Sequence, residues 1–506
     1  MVSIYFGQQR FHMKQPDVIV IGGGIGGLVS AGLLAAQGKQ VLLFEQDARV
    51  GGYVTGFTRD GFYFDATGAF VSAVSPGAEL HNILSELGVI DELTFLPINA
   101  IWNIYPDFDL RLNYQDPKAY LEGIKTRFPD QADAIDAYGT LTAGLGREFV
   151  AFENAPLWKK LLLPLSFPTL FRYVRKSHAD IINTFFNGHP DITLALSALP
   201  TSLPPSALSY TFVAVLWAKV LNNGVFYPKG GMGPLSETLA RGIKRKGAEI
   251  ACGHEVTRII TRGGKAVGVG LSNENEIYAK WIIANSNPFR IQRLLPDGLH
   301  LYGRMHRLEK YKPSLSAVLF YVKLQWENLP PDWPYFVSIN TTKDLEAMND
   351  AMERGSMDDG LHIVITTPSL MDSSLAPSGH HGLKVLVHAP RAGLFEKNYG
   401  EDDAFERLQR LVFSEIRTYT GLDIASHALF VEHATPGTLL KRTGNEEGAM
   451  YGLDAACGQV GPQRPPNRTA VKNLLMAGHY THPAHGIVGS AMSGAFVSKI
   501  IRNSDT

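Results

Sequence analysis

Residues 17–45 constrain this chain more than any other stretch. After Asp17 come Val18–Ile21, four apolar and β-branched residues of the kind that form a buried parallel strand. Gly22, Gly24 and Gly27 follow at once, in G-x-G-x-x-G spacing. Gly22 permits a tight turn, Gly24 lets the backbone approach a diphosphate, and Gly27 lets a helix pack closely on the strand. Leu28, Ala31, Leu34 and Ala35 recur at helical spacing, and Gly38 closes the helix as a C′ residue. A second apolar run delivers Glu45, about 20 residues beyond the glycines, where an acid meets a ribose hydroxyl. The helix N-terminus offers unpaired N–H groups and a positive dipole end to the diphosphate. A lone glycine motif is weak evidence. Strand, helix and acid together make it a dinucleotide-binding βαβ unit.

The chain has 506 residues, enough for two or three domains. Its net charge of −1 argues against a nucleic-acid partner, which needs a basic surface. Cys252 and Cys457 lie far apart and form neither a disulfide framework nor a zinc pattern, which suits a reducing compartment. Met1 to Gln15 is polar, so no secretory signal is read there, and Met13 is an alternative start. No run of about 18 uninterrupted apolar residues reads as a membrane span.

Beyond Glu45, Gly51 and Gly52 would let a second loop press against the cofactor. Gly61 to Gly68 then reads as an aromatic strand ending in a polar turn. Here the segment resembles the flavoprotein superfamily of amine oxidases, phytoene desaturases, carotenoid isomerases and retinol saturases. Members carry a glycine doublet in an R-x-G-G-R-x-x-S/T pattern. Arg49, Gly51, Gly52 and Thr55 match it, and Tyr53 replaces the second arginine. The resemblance assigns Gly51, Gly52 and Tyr53 to the flavin diphosphate, where a tyrosine hydroxyl or backbone N–H takes over from the arginine.

The resemblance continues along the chain. Tyr227-Pro-Lys-Gly-Gly231 is similar to a family turn that precedes a helix. Val256 matches the residue whose backbone meets the adenine. Val471 to Gly478 reads as a strand stopping at glycine, and a helix begins at Gly486. The resemblance places Gly478 at the ribityl chain, and Val488 and Gly489 at the helix end facing the flavin pyrimidine ring. Reduced flavin carries negative charge there, which a helix N-terminus stabilises. Thr481-His482-Pro483 and Gly486 resemble the family's T-H-P-x-x-G stretch. His479, His482 and His485 invite a metal reading. No nearby Cys or Glu completes a site, so these are read as loop residues above the flavin and no metal is assigned.

Two middle stretches bear on the substrate. Leu157 to Lys176 sets apolar and aromatic residues between Lys159, Lys160, Arg172, Arg175 and Lys176, while Pro164 and Pro168 bar one continuous helix. Trp158, Leu161, Leu162, Leu163 and Phe167 would dip into a membrane surface; the competing readings are a lid or a core segment. Ile192 to Leu221 is apolar, with Pro200, Pro204 and Pro205 between helical patches. It suits the wall of a long apolar cavity or a plain helical core.

The expected architecture is α/β: a Rossmann-like FAD-binding domain from residues 14–110, 228–300 and 440–506. A substrate-binding and membrane-facing α+β domain is inserted at 111–227 and 301–439. The resemblance implies an FAD-dependent oxidoreductase of a carotenoid or related isoprenoid polyene, working by desaturation, with hydride passing to the flavin and a proton lost from the neighbouring carbon. Polyene cis–trans isomerisation on reduced FAD, polyene saturation, amine oxidation and a non-catalytic flavin- or carotenoid-binding role remain alternatives. The expected partners are a hydrophobic small molecule and a membrane surface, in a cytoplasmic, peripherally bound protein whose oligomeric state is open. No catalytic base is assigned. Glu432, His433 and His482 are candidates because their segments are expected near the flavin.

Overall fold

A computed structural model describes residues 4–6, 9–11, 15–197, 203–303 and 307–505. Met13 and Pro200 lie outside the described residues. Five parallel strands build the first sheet, in the order Glu249–Cys252, Val41–Glu45, Val18–Ile21, Trp281–Ala284, Leu474–Met476. Val18–Ile21 is central and wholly buried, which explains its unbroken apolar run. Three separate parts of the chain thus meet in one sheet. The helix Ile25–Ala36 covers one face and is buried nearly all round. It packs between the helices Met232–Arg245 and Gly486–Asp505. Gly494 touches the Gly26 carbonyl there, and any β-carbon at 494 would collide with it.

The second sheet has seven strands, ordered Asp109–Leu112, Ile101–Ile104, Phe336–Asn340, His362–Thr366, His380–Ala389, Ser316–Gln325, Phe430–Ala434. All neighbours are antiparallel except Ile101–Ile104 with Phe336–Asn340. The hairpin 101–112, which the expected domain limit at 110 divides, lies whole in this sheet. Side chains alternate across it. Val337, Ile339, Ile363, Ile365, Val385 and Val387 share one core with Leu408, Val412 and Ile416 of the amphipathic helix Asp402–Thr420. The opposite face carries Phe336, Ser338, His362, Val364, Leu386 and His388, and it lines a cavity.

Helices roof that cavity. Ala132–Asn154 packs against Tyr210–Leu216, with Gly146 set against the Ala214 carbonyl. The last turn widens over Trp217–Leu221, where the Asn222 N–H reaches back five residues to the Trp217 carbonyl, 3.2 Å away. Such widenings recur at functional sites.

Leu157 to Tyr173 breaks into three short helices, Leu157–Leu161, Leu163–Ser166 and Pro168–Tyr173, as its prolines require. Trp158, Leu161, Leu162, Leu165 and Phe171 are exposed, Leu165 by 81%. Phe167 departs from expectation. It is buried and meets Phe152 edge to face, with ring centroids 5.5 Å apart, because its side chain turns toward the roof helix. Among the described residues, no helix is long and apolar enough to cross a membrane.

Replacing Gly494 with valine tests the helix crossing. The added carbons must push the two helices apart, and overpacking of this kind costs about 1–3 kcal/mol. The variant should unfold at a lower temperature by circular dichroism, whereas Ser498→Ala on the same helix should lower it less.

Candidate active site

The parallel strands deliver their functional residues at their carboxyl ends, where ligands bind in open α/β sheets. Val18–Ile21 ends in the glycine turn and Val41–Glu45 in Glu45 itself. Trp281–Ala284 ends in Asn285, and Leu474–Met476 leads to Gly478. Asn285 joins these ends. Its N–H donates to the Ile21 carbonyl at 2.8 Å, and its amide Nδ2 donates to the Gly22 carbonyl at 3.3 Å. A β-carbon on Gly24 would stand 2.9 Å from Asn285 Nδ2. One on Gly26 would stand 2.9 Å from the Gly478 backbone. Only bare backbone fits between these elements. Asn285 was not legible as a site residue; its one signal is a polar residue directly after a buried strand.

The predicted cofactor residues converge. Gly22, Gly24, Glu45, Gly51, Gly52, Tyr53, Val256, Gly478, Val488 and Gly489 all line one continuous cavity. Gly27 does not. It sits against the Gly22 carbonyl and lets helix and strand approach, which is the role its position in the motif predicts. The Gly51 N–H donates to the Gly23 carbonyl at 2.8 Å, so the second glycine loop does press on the first. Glu45 accepts from the N–H groups of Gly23 at 2.7 Å and Asp47 at 2.8 Å. Burial raises its pKa, and these two hydrogen bonds oppose the rise. Tyr53 donates its hydroxyl to the Ala449 carbonyl at 3.0 Å, and its ring stacks on His479. Its side chain is thereby tied to the C-terminal loop.

These residues fit FAD. The helix Ile25–Ala36 has no side-chain cap and no acid in its first turn, and its first residues Ile25 and Gly26 face the cavity. Its N–H groups are open to an anion. Glu45 supplies acceptors to a ribose. At the other end His479 Nε2 and His485 Nδ1 are buried without a hydrogen-bond partner, beside Gly478 and Val488. A polar ring system would satisfy them. Burial depresses the pKa of His479 to about 4 and that of His485 well below the usual histidine range, so both imidazoles are neutral. The loop carrying them is pinned by buried Arg464, which donates to the carbonyls of Thr481 at 3.2 Å and Gln459 at 3.2 Å, and to that of His479.

Past these histidines the cavity continues between the seven-stranded sheet and the helical roof. Tyr120, Tyr138, Phe149, Phe212, Trp217 and Phe336 make its wall largely aromatic. Leu196 and several residues between Phe212 and Leu221 supply much of that wall. Polar exceptions are few. Glu153 opens on the cavity with its side chain only 5% exposed, and its Oε1 has no hydrogen-bond partner. Burial pushes its pKa up to about 7, with Lys160 opposing. Ser338, His362, His388 and Tyr451 form a second polar group. Lys384, buried under the cavity rim, donates to the carbonyls of Thr67 at 2.7 Å and Gly68, and burial lowers its pKa to about 8.

The three catalytic candidates lie elsewhere. Glu432 pairs with Arg59 at 3.1 Å on an edge strand, and His433 packs on Phe405; neither lines the cavity. Their strand joins the far side of the sheet. His482 turns its ring onto Phe496 and stands 3.7 Å from Glu153, also off the cavity wall. Among the described residues, no group of three or more His, Cys, Asp or Glu side chains is placed to hold a metal ion.

Fold and site together define a flavoprotein of the dinucleotide-binding α/β class. Residues 25–501 match the family model described as flavin containing amine oxidoreductase, and the chain belongs to that family. It is an FAD-dependent oxidoreductase. The chain is 26% identical over 515 residues to a chloroplastic prolycopene isomerase of Daucus carota, covering 95% of this chain and 79% of that protein. It is 24% identical over 497 residues to a zeta-carotene-forming phytoene desaturase of Myxococcus xanthus, covering 95% and 93%. A solved putrescine oxidase triple mutant superposes with a TM-score of 0.66 at 15% identity, over 97% of this chain and 99% of that one, which shows the shared fold.

Two substitutions test the site. Glu45→Gln keeps the shape but loses charge-assisted hydrogen bonds worth about 1.5–3 kcal/mol. Fluorescence titration of the apoprotein should show FAD affinity falling about tenfold or more. For Glu153, the folded-state pKa of about 7 lies above the ordinary 4.5, so the folded state holds the proton more tightly. Stability is therefore lost as pH rises from about 4.5 to about 7, by up to about 3 kcal/mol. Glu153→Gln removes that loss. Denaturant unfolding of the apoprotein should show the variant gaining on the wild type between pH 5 and pH 8.

Proposed function

We propose that this protein oxidises a carotenoid or related isoprenoid polyene, introducing a double bond by desaturation. The observation that carries the reading is the cavity beyond the cofactor residues. It is walled mainly by aromatic and aliphatic side chains, and of its ionisable groups Lys219 is paired with Glu79 while burial favours the neutral form of Glu153. An extended hydrocarbon fills such a space, whereas a small amine needs polar or charged groups to hold its ammonium. The polyene-active relatives named above support it. A division into an FAD-binding part and a substrate part follows the two sheets, and we propose that the reacting carbons lie where the two meet.

When bound, FAD supplies the two-electron chemistry. The chain's own residues do the rest. The glycine loops and the open helix end hold the diphosphate, and Glu45 the ribose. Gly478, Val488 and Gly489 would hold the ring system. The aromatic wall aligns the hydrocarbon and keeps water from the reacting carbons at the cofactor end, which protects them from side reactions. A second reading is cis–trans isomerisation of the same substrate with reduced FAD, favoured by the similarity to prolycopene isomerase.

The substrate lives in a bilayer, and the exposed cluster Trp158, Leu161, Leu162, Leu165 and Phe171 suits docking on its surface. Lys159 and Arg172 hold their charges over the rings of Trp158 and Tyr173, beside this cluster. Burying this apolar surface contributes several kcal/mol at about 25 cal/mol per Å². Each nearby cation adds about 1 kcal/mol on an anionic leaflet.

Expression in cells that accumulate different polyenes, followed by pigment analysis, tests the reaction. Desaturation yields a product lighter by two hydrogens, and isomerisation one of unchanged mass. A protein that leaves every polyene untouched and oxidises a soluble amine would overturn the reading. For docking, Trp158→Ser/Leu162→Ser/Leu165→Ser should remain in the supernatant on liposome sedimentation and keep its flavin spectrum, while the wild type pellets.

A further inference from the structure

Four polar side chains stand in series on the otherwise greasy cavity wall. Ser338 Oγ lies 3.0 Å from His362 Nε2. His362 Nδ1 lies 3.0 Å from His388 Nδ1. His388 Nε2 lies 3.2 Å from the Tyr451 hydroxyl. Three of them come from three adjacent strands, at inward positions set by side-chain alternation. All four line the cavity, so both ends of the series open on it. Tyr451 sits toward the cofactor end, its ring 5.2 Å from that of His485.

The contact between two imidazole nitrogens fixes the chemistry. One Nδ1 must carry a hydrogen and the other must not. If His362 carries it, His362 Nε2 accepts from Ser338, and His388 Nε2–H donates to Tyr451. If His388 carries it, every bond reverses, and Tyr451 donates to His388 while His362 donates to Ser338. Both arrangements satisfy every group and hold the same number of protons. They differ in what Tyr451 shows the cavity: a free O–H in the first, a free acceptor lone pair in the second. Burial depresses the pKa of His362 to about 4 and that of His388 well below the usual range. A second proton therefore does not rest on either ring, and both stay neutral with one N–H each.

We propose that Ser338, His362, His388 and Tyr451 are a proton relay that exchanges a proton with bound substrate at Tyr451. This rests on the polyene reading for the substrate, not for the relay. In desaturation one substrate C–H bond breaks, and its electron pair becomes the new π bond. Its proton goes to the Tyr451 oxygen as the tyrosine's own proton passes to His388 Nε2. The His388 Nδ1 proton passes to His362 Nδ1, and the His362 Nε2 proton to Ser338, whose own proton leaves to water at the far end of the series. The neighbouring carbon gives up its hydrogen with both bonding electrons to FAD, the oxidant of the family. Tyr451 touches the substrate. His388, His362 and Ser338 act through it.

Two measurements on the holoenzyme test the relay. The first needs no substrate. With ¹⁵N-labelled histidine at pH 7, His362 and His388 should each show one N–H, with a scalar coupling between the two Nδ1 atoms. Finding either ring doubly protonated, or neither Nδ1 carrying hydrogen, overturns the relay. The second uses a polyene that the wild type converts. Tyr451→Phe and Ser338→Ala should each lower kcat about 100-fold, with KM within about twofold. The wild type should show a solvent deuterium isotope effect on kcat, and Tyr451→Phe should not. Ser338→Thr, which keeps a hydroxyl, should recover most of the rate. Equal rates for Ser338→Ala and the wild type, or no recovery by threonine, overturn the relay. If the wild type converts no polyene, the substrate reading fails and the nitrogen measurement alone decides the relay.

Discussion

Around Asn285 the chain comes together with almost no side chains between its elements. Gly22, Gly24, Gly26, Gly27 and Gly478 leave no room for side chains around Asn285, and Gly494 brings the last long helix onto Gly26. Everything else at the cofactor end depends on this approach. A helix end binds an anion only if nothing caps it first, and here the cap position is glycine with no side chain to compete. The C-terminal segment closes the site because it can reach the first βαβ unit within van der Waals distance. The packing that holds three distant parts of the chain together thus also shapes the cradle.

A second constraint acts in the seven-stranded sheet. Period-two alternation gives its strands one apolar face for the covering helix and one face for the cavity. The cavity face is not purely apolar. Ser338, His362 and His388 sit there because they satisfy one another, which is the condition for polar groups in a dry interior. Glu153 is the contrast. It faces the same cavity with an unpartnered oxygen and carries a raised pKa as the consequence. One polar group is stable in itself, and the other stores an electrostatic cost that a ligand can relieve.

The cluster at residues 158–171 shows the same economy on the outside. Prolines divide the segment into short helices, and none is long enough to bury a full apolar face. Phe167 and Leu170 turn inward to anchor it, and Trp158, Leu161, Leu162, Leu165 and Phe171 remain in solvent. An apolar patch of this kind, rimmed by cations, is stable in water only because the segment is tied down from beneath.

The amino-acid sequence by itself determined the cofactor half. Strand, glycine turn, helix and acid are local patterns, and their meaning depends on backbone sterics within some thirty residues. The strand stopping at Gly478, the helix from Gly486 and the broken helices after Leu157 were legible for the same reason, although the place of Gly478 and Gly489 at the cofactor came from the family resemblance. Tertiary structure alone decided which distant residues share the cavity. Asn285 matters because two other strand ends meet it. His362 and His388, twenty-six positions apart, become one hydrogen-bonded pair through strand register. Glu432 and His433 were misplaced because adjacency to a strand says nothing about which end of which sheet it joins. Phe167 looked like its exposed neighbours in composition, yet its packing against Phe152 of the roof helix puts it in the core. Local sterics are written residue by residue, whereas register and face are properties of the assembled sheets.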